Sequence, residues 1–299
     1  MISSTLILLS IGYTLNIAHS ASTLQIIDAE SLHSRLGEVS VIDTREEGFE
    51  AAHIPGSQSV DWKDWTLKKP NLINYVLGNA KDWGKVPLPG MKLQKRLESL
   101  GLSNEKEIVV IGKPSGWGEE GRFAWQFLYW GAKKVSLLDG GIDSWTAKHY
   151  AIEKGKSTLV SKGNFKLEID TQRRATTADV ELALKRSSRP LLDARSPEEF
   201  LGKRETAQKR GGHIPGARSL PVALLYEADG KFIAADKLKK LAAIDGPSPI
   251  TYCVGGVRSA LLAVLIEARL GIIAANYDAS MWEWSDDPSR PLMSTPAGK

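Results

Sequence analysis

The sequence predicts an α/β protein made of two similar units in tandem, each a parallel sheet with helices on both faces. Three observations carry this. Short apolar runs alternate with segments of helical period. The same order of landmarks is stated twice along the chain. The residues able to do chemistry fall just after apolar runs, where open parallel sheets hold their ligands. The 299 residues suffice for two domains with cores of their own. Hydrophobic residues at 42% and charged residues at 25% exclude disorder and a membrane bundle. A net charge of +4, without an aromatic-basic groove pattern, gives no ground for nucleic-acid binding.

Residues 1–20 predict a signal peptide. Residues 6–17 are uncharged and apolar but too short to span a bilayer comfortably. Ala18, Ser20 and Ala21 supply small residues of the kind a signal peptidase reads, so cleavage is expected near Ser20. No Lys or Arg precedes the run, which leaves an uncleaved anchor open. The expectation is an exported chain, periplasmic or secreted, with no membrane segment in its mature form. A single cysteine there has no internal disulfide partner, which points to reactivity or intermolecular pairing.

The first unit is expected over 21–152. Leu24 to Ile27 read as an edge strand, and Asp28 as the cap of a helix. An apolar strand then ends in Asp43 and Arg45 and leads, through Glu46, Glu47 and Phe49, to the turn His53-Ile54-Pro55-Gly56. Residues 62–90, rich in Pro, Gly, Trp and Lys, read as a surface loop with a short helix. A buried strand runs through Val109, Val110 and Ile111 to Gly112, and another ends at Leu138-Asp139-Gly140-Gly141. Residues 153–177 form the expected linker, with one strand at 165–169.

The second unit, 178–299, repeats these landmarks. Leu191-Leu192-Asp193-Ala194-Arg195 matches the first strand end, Glu198, Glu199 and Phe200 follow, and His213-Ile214-Pro215-Gly216 is the same turn. Ile250-Thr251-Tyr252-Cys253 aligns with the strand that ends at Gly112, and the segment 277–284, with Trp282 and Trp284, aligns with the one after Leu138. Cys253 therefore stands at a strand-to-helix turn. Gly255 and Gly256 free the backbone to curl its N–H groups inward, and the start of the following helix favours negative charge. Such surroundings lower a thiol pKa and create a thiolate nucleophile. The first copy, with Gly112 at this place, has no nucleophile, so no covalent chemistry is expected there.

These residues resemble tandem-domain rhodaneses, the family of thiosulfate and 3-mercaptopyruvate sulfurtransferases. The resemblance rests on Asp43/Arg45 and Asp193/Arg195, the two His-Ile-Pro-Gly turns, the loop from Cys253 to Arg258, and the segment 277–284. It covers nearly the whole chain after residue 20. It implies two tandem rhodanese-like domains and a ping-pong reaction. Cys253 would take a sulfane sulfur from a small sulfur-containing anion, thiosulfate or 3-mercaptopyruvate, and yield it to cyanide or a thiol. Backbone N–H groups of Val254, Gly255, Gly256, Val257 and Arg258 would hold the anionic sulfur. No metal or organic cofactor is implied, and a monomer is expected.

Other residues carry narrower expectations. Arg258 either faces an anionic substrate or pairs with a carboxylate of the neighbouring domain. Asp193 and Arg195 are expected to brace a loop, and Trp282 to lie near the active loop. His53 and His213 belong to turns, and the five histidines lack metal-ligand spacing. The basic stretch 203–210 reads as a solvated loop able to steer anions. Glu199 would repel an anionic donor unless a cation compensates, and Val254-Gly255-Gly256 matches neither familiar donor pattern. Two other functions share the Cys-to-Arg loop. One is an exported persulfide carrier with little turnover. The other is a cysteine phosphatase or arsenate reductase, which the short loop disfavours.

Overall fold

The computed structural model describes residues 23–68, 71–77, 80–114, 116–204 and 207–294, so the signal peptide expected over 1–20 lies outside the described residues. Strands β1 (Thr23–Ile27), β2 (Ser40–Asp43), β3 (Gln58–Ser59), β4 (Ile108–Ile111) and β5 (Lys134–Leu138) form one parallel sheet in the order β1-β5-β4-β2-β3. Strands β6 (Arg174–Ala175), β7 (Leu191–Asp193), β8 (Arg218–Ser219), β9 (Ile250–Tyr252) and β10 (Ala275–Tyr277) repeat that order as β6-β10-β9-β7-β8. Around the first sheet run helices α1 (Ala29–Ser34), α2 (Leu72–Val76), α3 (Met91–Ser99), α4 (Glu119–Trp130) and α5 (Gly141–Ala147). Around the second run α6 (Thr177–Arg186), α7 (Pro197–Leu201), α8 (Ala235–Ala242), α9 (Arg258–Leu270) and α10 (Ser280–Trp284). The central strand β4 is apolar and buried at every position, as a sheet covered on both faces requires. Asp28 caps α1 by accepting from Ser31 N–H at 2.8 Å.

The two units meet along α4 and α9. Helix α4 is buried nearly all round because one side rests on its own sheet and the other on α9. Close approach depends on Gly121, where a Cβ would stand 2.3 Å from the Leu261 Cα. Two reciprocal bonds lock the units further. Asp278 of the second accepts from Val86 N–H at 2.7 Å, and Asp139 of the first accepts from Phe232 N–H at 2.8 Å. The excursion 62–90 is consequently more than a surface loop. Trp65, Trp83 and Val86 are buried, because the segment is drawn between the two units.

The linker also differs from expectation. Residues 165–169 form no strand. Phe165 is buried, and Glu168 and Asp170 donate their N–H groups to the carbonyls of Trp130 and Tyr129 at the end of α4, each at 2.9 Å. A helix end offers such a segment bonds but no ladder. Within the stretch 153–177, β6 already joins the second sheet beside β10.

A buried acid sits where the units touch. Tyr226 O–H donates to Glu120 Oε1 at 2.6 Å. Burial pushes the Glu120 carboxyl up to about 7, against the opposing effect of the Tyr226 bond. The carboxyl is thus neutral in the folded protein at pH values where it is ionised in the unfolded chain. Its stabilising contribution is present below its ordinary pKa and is lost as pH rises through about 7, over a range worth on the order of 3 kcal/mol. Wild-type Tm is expected to fall between about pH 5 and about pH 8, and Glu120→Gln to flatten that fall. Parallel Tm profiles would contradict this role for Glu120.

Candidate active site

Strand β9, central in the second sheet, delivers Cys253 to the carboxyl edge of that sheet. Thr251 Oγ1 donates to the Ser259 carbonyl at 3.0 Å, tying the strand to the first turn of α9. The loop between them is fixed by close packing. A Cβ at Gly255 would lie 2.0 Å from the Trp282 ring, and one at Gly84 would lie 2.2 Å from the Gly255 carbonyl oxygen. Gly256 has φ +79° and packs against the Asp278 backbone, where a Cβ would come within 2.5 Å of the carbonyl oxygen.

The thiol is only 2% exposed. Gly256 N–H donates to its Sγ at 3.1 Å, and Ser259 Oγ lies 3.5 Å away. Ser259 Oγ also stands 2.7 Å from Asn276 Oδ1, while Asn276 Nδ2 donates to the Gly256 carbonyl at 3.1 Å. Behind the thiol, Ser280 Oγ accepts from Cys253 N–H at 3.0 Å. Burial pushes the Cys253 thiol up. The Arg258 charge outweighs this together with hydrogen bonds from Ser259 and the Gly255 amide, so its pKa is held below the ordinary value.

Arg258, at the first turn of α9, lines the cleft and pairs with Glu199 through two bonds, Nη1 to Oε2 at 2.6 Å and Nη2 to Oε1 at 2.8 Å. The partner carboxylate belongs to its own domain, not to the neighbouring one. The same pairing answers the repulsion expected from Glu199, whose charge Arg258 neutralises. Glu199 is placed by the capping box that opens α7, in which its carboxylate accepts from Ser196 N–H at 3.0 Å. The Arg258 guanidinium also lies 5.1 Å from the Trp117 ring centre.

Asp193 and Arg195 are fully buried and bonded to each other at 2.6 Å, and Arg195 donates on to the Gly212 carbonyl at 2.8 Å. They brace the stretch before the His213 turn and stay out of the cleft. His53 and His213 stack on Phe49 and Phe200 and hydrogen-bond through Nδ1 to the carbonyls of the same residues. The steering expected of 203–210 finds little support in geometry. Arg210 donates to the carbonyls of Ser285 and Arg290 at 3.0 and 2.9 Å, and Lys209 pairs with Asp286 at 2.6 Å. Neither lines the cleft.

The cleft over Cys253 has a volume of about 410 Å³. Glu46, Trp62, Lys63, Trp117 and Glu119 of the first unit face Cys253, Val254, Gly255, Val257, Arg258 and Trp282 of the second across it. Lys63 pairs with Glu46 at 2.7 Å. Burial, with lesser repulsion from Glu46, holds the Glu119 carboxyl above its ordinary range. From the same unit, the buried Arg122 donates to the Gly256 carbonyl at 3.2 Å and to the Gly84 carbonyl. Burial lowers its pKa to about 10, which leaves it charged at neutral pH. In the first unit itself the equivalent space is filled, because a Cβ at Gly112 would stand 2.3 Å from Glu120 Oε2.

Sequence reasoning singled out the loop and Trp282 but missed Ser259, Asn276, Arg122, Trp117 and Glu119. Ser259 directly follows Arg258 in the first helical turn, so adjacency was a usable signal. Arg122 lies 134 positions from Gly256, and no local pattern marks it.

The rhodanese-like domain family profile matches residues 28–148 and 176–287. The chain is 30% identical over 289 residues to the thiosulfate sulfurtransferase of Corynebacterium glutamicum, covering 90% of each protein. It is 28% identical over 265 residues to the sulfur carrier protein TtuD of Thermus thermophilus, covering 82% of this chain and 86% of that one. In fold it is similar to the crystal structure of SseA from Escherichia coli, at 22% identity and a TM-score of 0.72, over 86% of this chain and 99% of that one.

The electrostatics of the thiol make a two-sided expectation. In Arg258→Gln the pH profile of Cys253 alkylation by iodoacetamide should move up, since a neighbouring cation is lost. In Glu199→Gln it should move down, because Arg258 is no longer neutralised. An unmoved profile in Arg258→Gln would show that Arg258 does not hold the thiolate.

Proposed function

The chain belongs to the rhodanese family, as two rhodanese-like domains in tandem, and from that premise we propose that it is a sulfurtransferase working through a persulfide on Cys253. The observation that carries this is a buried thiol with a Gly256 N–H on its sulfur, facing Arg258, at the floor of a cleft between two domains. The Cys253 thiolate attacks the sulfane sulfur of thiosulfate or, with 3-mercaptopyruvate as donor, its thiol sulfur, whose C–S bond breaks with the electron pair going to the carbon, protonated to give pyruvate. With thiosulfate, the donor S–S bond breaks and its electron pair leaves with sulfite. The outer sulfur of the new persulfide is an anion in a nest of loop amides at the start of α9, the same surroundings that favour the thiolate. An acceptor, cyanide or a thiol, then attacks that outer sulfur. The persulfide S–S bond breaks, and its electron pair returns to the Cys253 Sγ.

Each neighbour has a part. The Arg258 charge favours the thiolate before and after transfer. Gly255 and Trp282 keep the loop in the shape that turns its N–H groups inward. The first domain, with Gly112 where the thiol would be, does no covalent chemistry and supplies one wall of the cleft. The relative named as a sulfur carrier gives a second reading, in which the same persulfide is handed to a protein with little turnover on small acceptors.

We also propose that residues 1–20 direct export and are removed near Ser20, which puts the mature protein in the periplasm or outside the cell. The apolar run 6–17 and the small residues after it support this. The mass of the mature protein tests the cleavage.

Thiosulfate and cyanide should yield thiocyanate with the wild-type protein, and Cys253→Ser should abolish it. Intact-mass measurement after thiosulfate or 3-mercaptopyruvate should show one added sulfur in the wild type only. A loaded protein without thiocyanate favours the carrier. Equal thiocyanate formation by Cys253→Ser would sink the proposal.

A further inference from the structure

Both cations that face the cleft are already matched. Lys63 is paired with Glu46, and Arg258 with Glu199. The remaining charged group on the lining is Glu119, which makes no ion pair among the described residues. The charge facing a ligand above Cys253 therefore leans acidic on the first-domain side, where Glu46 and Glu119 stand together. Three indoles line the same cleft. Trp62 is anchored through Nε1 to Glu46 at 3.1 Å, Trp282 stands edge-on to Trp83, and Trp117 is 62% exposed. Indole faces beside carboxylates attract organic cations. The space is also wider than a small inorganic anion fills.

We propose that this cleft selects, as sulfur acceptor, an organic thiol that carries a positive group, in preference to an anionic acceptor. The inference rests on the sulfurtransferase reading and names the acceptor class for that site. The thiolate end meets the outer sulfur at the Cys253 loop, and the cationic end lies toward Glu119 and Glu46 among the indoles. In the transfer, the acceptor thiolate forms a bond to the outer sulfur, the persulfide S–S bond breaks, and its electron pair goes to Cys253 Sγ. The acceptor leaves as a hydropersulfide anion, and no oxidant or reductant is consumed.

The test is a single turnover. Cys253 is loaded with sulfur from thiosulfate, the donor is removed, and persulfide loss is timed with cysteamine, 2-mercaptoethanol and mercaptoacetate, each corrected for its own thiolate concentration. Cysteamine is expected to exceed mercaptoacetate by about tenfold or more, with the neutral thiol between them, as a carboxylate a few ångströms from the charge predicts. Glu119→Gln should shrink that ratio several-fold relative to the neutral thiol measured in the same protein. Mercaptoacetate reacting as fast as cysteamine, or a ratio unchanged in Glu119→Gln, would overturn the proposal. A protein that never loads sulfur overturns the sulfurtransferase reading and this inference with it, whereas loading without preference overturns this inference alone.

Discussion

A cysteine sulfur held at 2% exposure, yet with its pKa kept below the ordinary value, is the constraint on which the second domain is built. An isolated buried anion is expensive, so every stabilising group must be positioned rather than left to solvent. Gly256 shows how tightly. Its N–H bonds the sulfur while its carbonyl is gripped by Asn276 and by Arg122. That turn needs a positive φ at Gly256 and no side chain at Gly255, because Trp282 and the Asp278 backbone already occupy the space. Arg258 adds the charge, and Glu199 keeps Arg258 from being an uncompensated buried cation in turn.

Duplication explains why the first domain persists without a nucleophile. It has the same strand order and the same brace, with Arg45 bonded to Asp43 and to the Ala52 carbonyl. Its own loop has closed over the Glu120 carboxyl, and that carboxyl is bonded to Tyr226 of the other domain. What it contributes is interface and wall. Arg122, Gly84 and Val86 reach the reactive loop or its neighbour Asp278, and Trp62, Trp117 and Glu119 face the thiol across the cleft. One copy thus presents the nucleophile, and the other shapes what can approach it.

The features legible in the sequence were those written locally. The strand ends at Asp43 and Asp193, the His turns and the glycine turn after Cys253 each carry their physics within a few residues, and their repetition fixed the order of elements. Contacts between distant segments were not legible. Val86 and Asp278 are 192 positions apart, and nothing near either announces the other. For this reason the 62–90 excursion read as surface, and the carboxylate expected to pair with Arg258 was placed on the wrong domain. The alternating apolar residues around Phe165 and Leu167 suggested a strand. Burial against a helix end satisfies the same pattern, because periodicity reports which side is covered and not what covers it.

The central claim is that the loop from Cys253 to Arg258 holds an anionic sulfur with its own backbone. A crystal structure of the thiosulfate-treated protein tests it most directly. The account predicts one extra sulfur bonded to Cys253 Sγ and lying within hydrogen-bond reach of the loop N–H groups. An unmodified Cys253, or an added sulfur turned away from those groups, would contradict it.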